Sequence, residues 1–170
     1  MSKRSLSKYL KTLDEDQLRE QIMHLYGTFK DVKVYYDFVF NPKEDKIVHE
    51  CKEKIANEYF PVKRRKPRAR RSVAQKYIKH FMTLGVNPVQ VADVMWYNLE
   101  IAATFNADKN VKQQAFYTSM AKSFDEAIKY TLVHGLYDQF ATRIKKLVAE
   151  ISEQDWPSMY AIEQSMGLLE

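Results

Sequence analysis

Apolar side chains recur every three or four residues along most of this chain, and that spacing commits it to α-helix. Val73, Tyr77, Ile78, Phe81 and Leu84 form one such stripe, and Gly85 stands where a left-handed C-terminal stop is wanted. Four glycines and five prolines in 170 residues are too few for the many tight turns of an all-β sandwich. The chain is therefore expected to be all-α.

Local signals divide it. Residues 5–11 read as a short first helix. Asp14 with Gln17 makes a capping box, followed by Leu18, Ile22, Leu25, Tyr26 and Phe29 on one face, with Gly27 near the end of the pattern. Residues 31–40 are aromatic, and helix is preferred over strand because no partner strand is evident. Asn41-Pro42-Lys43-Glu44 opens a helix whose face carries Ile47, Val48, Cys51, Ile55 and Tyr59, and Pro61 stops it. Ser72 and Gln75 read as a capping box for the helix ending at Gly85. Asn87-Pro88 opens the next helix, to about residue 105, and its broad apolar face places it centrally. Asp108 is expected to cap a long helix reaching residue 133. A helix carrying Leu136, Phe140, Ile144, Leu147, Val148 and Ile151 follows, and residues 158–166 form a short last one.

Short connections favour antiparallel neighbours. We expect a single helical domain over 1–170: an irregular array of about eight helices packed as antiparallel hairpins, like a HEAT-type stack. A closed helical bundle is the alternative. The two Asn-Pro starts lie at 41 and 87, near the repeat length of such stacks.

Charge singles out one region. Residues 1–60 balance 11 basic against 11 acidic side chains, and residues 93–170 carry 7 against 11. Residues 61–92 hold 9 basic side chains and no acid. Lys63, Arg64, Arg65, Lys66, Arg68, Arg70 and Arg71 crowd into the connector 62–71, which takes five of the chain's eight arginines. Arginine's planar fork matches phosphate and carboxylate oxygens two at a time, and a helix start at Ser72 would add free amides, so Arg70, Arg71 and Ser72 are the expected pocket for an anion. Lys76 and Lys79 extend the positive field. The candidate ligand is RNA or another polyanion, held by salt-sensitive contacts. A competing reading neutralises these arginines with the acids of residues 93–170 and makes the chain a protein–protein scaffold with a structural loop. Tyr59 and Tyr77 flank the connector but fall on apolar stripes, so core packing explains them.

Other chemistry is thin. The four histidines are scattered, and His49 and Cys51 point about 200° apart on a helix, too far to share a metal. Cys51, the one cysteine, falls on an apolar stripe, so packing rather than nucleophilic work is expected, and no disulfide within the chain is possible. There is no glycine-rich phosphate loop and no apolar run long enough to span a membrane, and no secretory leader is expected. Trp96 and Trp156 are expected in the core. A cytoplasmic, non-enzymatic protein with no cofactor and no small-molecule substrate is the expectation.

Four segments carry a resemblance: Leu10 to Ile22, Asn41 to Lys46, Tyr59-Phe60-Pro61 and Arg70 to Ala74. Together they resemble an uncharacterised bacterial family of small helical proteins, a domain of unknown function, over nearly the whole chain. That resemblance implies a cytoplasmic protein and supplies no functional residues. It also makes the likeness of the Lys63–Lys66 run to a nuclear import signal irrelevant.

Overall fold

The computed structural model describes residues 2–62 and 65–169. Among them are nine α-helices, a final 3-10 turn and no strand. Among the described residues no helix is long and apolar enough to cross a membrane. The helices fall into two compact units, residues 1–43 and 44–170.

The first unit holds α1 (Lys3–Leu10), α2 (Glu15–Thr28) and α3 (Lys30–Phe40). The Asp14 capping box forms: its carboxylate accepts from Gln17 N at 2.8 Å, and the Gln17 side chain accepts from Asp14 N at 3.1 Å. Gly27 does not end α2, which runs one residue further. The aromatic segment is helical, and α3 packs on α2 through the Tyr26–Tyr36 ring contact and the Tyr26 hydroxyl, which donates to Asp37 at 2.7 Å. None of the residues in these three helices is buried.

The second unit holds α4 (Glu44–Tyr59), α5 (Arg71–Leu84), α6 (Pro88–Lys109), α7 (Gln114–Val133), α8 (Tyr137–Glu153) and α9 (Met159–Met166). Consecutive helices touch, as short connections require, and α6 also touches α4 and α8. Half of the 22 residues of α6 are buried, which explains its broad apolar face: it has neighbours on nearly every side. Trp96 is fully buried at its middle, edge-on to Phe124 of α7, and its indole N–H donates to the Thr131 hydroxyl at 3.2 Å. Trp156 is buried too, against Phe116 and Tyr117.

Three expected helix starts move. Pro42 and Lys43 precede α4, which begins at Glu44, and Asn41 instead ends α3. Asp108 does not cap a helix: α6 continues past it to Lys109 and ends on left-handed Asn110. Residues 111–113 stay non-helical because Asn106 Oδ1 holds the Val111 N–H at 3.0 Å, and α7 starts at Gln114. The third, at Ser72, moves with the connector before it. The Asn87-Pro88 start stands as expected, with Asn87 Oδ1 accepting from Val89 N at 2.9 Å, and Gly85 closes α5 at φ 75°.

A mostly polar junction ties α4, α6 and α8. Arg143 forks onto Glu100 at 2.5 and 2.7 Å and reaches Asp93 at 2.6 Å, while Lys52 meets the other Asp93 oxygen at 2.5 Å. Burial pushes the Asp93 carboxyl up, but hydrogen bonds and charge from Lys52 and Arg143 outweigh it and hold its pKa below the ordinary value.

Candidate polyanion-binding groove

The connector after α4 folds back on the end of that helix. Arg68 N–H and Ala69 N–H both donate to the Glu58 carbonyl, at 2.9 and 3.0 Å. The Arg70 guanidinium grips the Glu58 carboxylate with two bonds, at 2.8 and 2.9 Å. Ala69 takes a left-handed φ of 47°, a conformation costing an alanine about 1–2 kcal/mol, so the bonds to Glu58 outweigh a real strain. The paired guanidinium holds Glu58 below the usual carboxylate range and Arg70 above its own.

This fold-back starts α5 two residues earlier than expected. Arg70, pinned to Glu58, becomes the N-cap residue without a side-chain cap bond, and Ser72 lies inside the first turn. The expected Ser72–Gln75 capping box does not form. Gln75 instead donates to Glu126 of α7 at 2.9 Å.

Between the fold-back, the last turns of α4 and the first turns of α5 lies a cavity of about 850 Å³. Five cations line it: Lys54, Arg65, Lys66, Arg68 and Arg70. One carboxylate faces them, Glu58, and Arg70 already occupies it. Lys54, Arg65, Lys66 and Arg68 form no ion pair among the described residues, and all four are exposed on the surface. Tyr77 offers a half-buried ring on the same wall.

The sequence-predicted residues therefore separate. Arg65, Lys66, Arg68 and Arg70 share the cavity. Arg71 turns the other way, onto Ser123 at 2.8 Å and Glu126 at 2.5 Å of α7, so it belongs to the packing of α5 on α7. The expected pocket joining Arg70, Arg71 and Ser72 is thus not assembled. Lys76 and Lys79 are exposed along α5 and lie outside the cavity lining. Lys63 and Arg64 lie outside the described residues. Lys54 joins the site from α4, 11 residues before Arg65; it lies in the charge-balanced stretch 1–60, and only the fold-back brings it to the connector. Acids of residues 93–170 neutralise one of these arginines, Arg71, while the carboxylate on Arg70 comes from α4. Tyr59 is buried, as its stripe implied, with its hydroxyl 3.4 Å from Asn98 Oδ1.

Comparison with known protein families gives a match over the whole chain. A model described as a family of unknown function, DUF6155, covers residues 1–170. No curated protein and no solved structure matches the chain.

Proposed function

This chain belongs to the DUF6155 family, and because that family is one of unknown function, we propose from the groove alone that it is a cytoplasmic, non-enzymatic protein that binds a polyanion, RNA by class, in the cavity beside the connector. One observation carries the reading: five cations converge on one cavity whose single carboxylate is already paired. An unpaired cluster of like charges is repelled in the absence of a ligand, and a run of phosphates relieves that repulsion while releasing condensed counterions. Arg65 and Arg68 bring bidentate forks to phosphate oxygens, Lys54 and Lys66 bring point charges, and Tyr77 gives a base one face to stack on.

Fluorescence anisotropy with a single-stranded RNA oligonucleotide tests this. About four phosphate contacts predict a log–log salt slope near roughly −2.8, so affinity falls about 50-fold when salt rises about fourfold. Replacing Lys54, Arg65, Lys66 and Arg68 with Ala, and leaving Arg70 to hold Glu58, abolishes most of that slope. Replacing Lys76 and Lys79 with Ala leaves it nearly intact. Absence of binding in low salt, or equal affinity in the quadruple variant, sinks the proposal.

A second reading, an interaction scaffold of stacked helical hairpins, is favoured by the first unit. Its helices bury no residue, and Phe40, Met23 and Phe29 are 80, 66 and 52 % exposed. A 43-residue unit without a core ordinarily needs a partner surface. Sedimentation of the whole chain, alone and after Phe29 and Phe40 are changed to Ser, measures whether that surface self-associates; a monomer in both cases removes a second copy as the partner.

A further inference from the structure

Of the five described cations that line the basic groove, only Arg70 has an ion-pair partner among the described residues. Its Nε and Nη2 donate to the two oxygens of Glu58, at 2.8 and 2.9 Å. A guanidinium grips a phosphate with the same planar pair of bonds, so the carboxylate stands where a phosphate would bind. Both side chains line the cavity, that of Arg70 49 % exposed and that of Glu58 17 %. The fork lies at the surface of the groove, and an acid of the chain itself fills it.

The fold-back does not rest on that pair alone. Arg68 N–H and Ala69 N–H bond the main-chain carbonyl of Glu58, which no change of side chain removes. An ion pair with one half-exposed partner adds little stability. Its effect on the groove is larger. The carboxylate cancels one of the five charges and repels phosphates at the point where the fork would receive them. The bonds from Arg70, with the charge of Arg68, hold the Glu58 carboxyl below the usual range, so the cancelling charge is fully present at neutral pH.

Resting on the polyanion reading above, we infer that Glu58 is an internal competitor of the ligand, filling the Arg70 fork as a phosphate would and keeping RNA off one of the groove's five described cations. Affinity is thereby held below what the five charges allow, and the difference falls mainly on the rate at which RNA leaves.

Anisotropy titrations of the full chain with single-stranded RNA test this in wild type, Glu58→Gln, Arg70→Lys and the double variant. Glu58→Gln is expected to bind about tenfold tighter in low salt and to steepen the log–log salt slope by about 0.7, the equivalent of one phosphate contact. Arg70→Lys conserves charge and removes only the fork. It is expected to cost at least about threefold more affinity in the Glu58→Gln background than in the wild-type one. Unchanged hydrogen exchange at the Arg68 and Ala69 amides verifies that the fold-back stays in Glu58→Gln. Two results each overturn the inference. One is Glu58→Gln binding RNA no tighter than wild type, and the other is Arg70→Lys costing the same in both backgrounds. Where wild type binds RNA, either result removes the competitor and leaves the polyanion reading standing. No binding by wild type or Glu58→Gln in low salt removes both. Binding by Glu58→Gln but not by wild type supports the competitor and refutes the reading for the native chain.

Discussion

Changing Arg143 to methionine removes the charge at the junction of α4, α6 and α8 while keeping most of the side-chain stem. In the native protein this guanidinium makes three short bonds to Glu100 and Asp93, and Lys52 holds the remaining Asp93 oxygen. An exposed ion pair contributes at most about 1 kcal/mol, whereas stripping one partner from a buried pair costs about 3–5 kcal/mol. The side chains of Arg143, Asp93 and Glu100 are 27, 25 and 35 % exposed, between those limits. The substitution is therefore expected to destabilise the second unit by about 2–3 kcal/mol. With a urea slope of about 2 kcal/mol per molar, the midpoint falls by about 1–1.5 M. Both tryptophans lie in residues 44–170, so tryptophan fluorescence follows that unit alone. The penalty also has a pH signature. Asp93 is held below its ordinary pKa, so it contributes stability above its unfolded-state pKa and loses that contribution as pH falls through its folded value. Arg143→Met removes one of the two groups that hold it there. The penalty is then largest near neutrality and shrinks below about pH 4, as Asp93 takes up its proton. A midpoint shift under about 0.3 M, or the same penalty at both pH values, would show that solvent screens the junction and that apolar packing alone seats α8.

Three further outcomes are expected. Cys51 is fully buried and its thiol is pushed up to about 12 by burial, so a thiol reagent at mildly alkaline pH labels the unfolded but not the native protein; prompt native labelling contradicts this. Asn87→Ala removes the bond to Val89 N and Gly85→Ala forces an alanine to φ 75°; each is expected to cost about 1 kcal/mol in urea unfolding, and an unchanged midpoint refutes the assigned role. Ser158→Ala deletes a buried hydroxyl with no partner among the described residues, so the protein keeps its stability or gains up to about 1 kcal/mol. Destabilisation there would reveal a partner for the hydroxyl.

The elements were legible where one turn of chain decides them. The Asp14 box, the Asn87-Pro88 start and the Gly85 stop each involve residues within a turn of one another, and all three hold, whereas the equally local Asn41-Pro42 start does not. The central place of α6 was legible as well, since a helix with apolar residues around most of its circumference has to be covered. The starts at Ser72 and Asp108 went astray for one reason: groups outside the local motif displaced them. Glu58 draws Arg68, Ala69 and Arg70 onto the end of α4, and Asn106 holds Val111 out of helix.

The arginine-rich connector was visible at once, because charge needs only counting. Its geometry was not. Arg70 and Arg71 are neighbours in sequence, yet one pairs with Glu58 and the other with Glu126, 12 and 55 residues away. Lys54 enters the groove from a helix with no net basic character. By itself the sequence determined an all-α chain with a sparing set of caps and one basic stretch, because backbone hydrogen bonds and apolar spacing act over a few residues. Only the tertiary structure decided which cations share a cavity and which are consumed in packing, because a side chain's partner is set by what the fold brings within a few ångströms, not by what stands beside it in the chain.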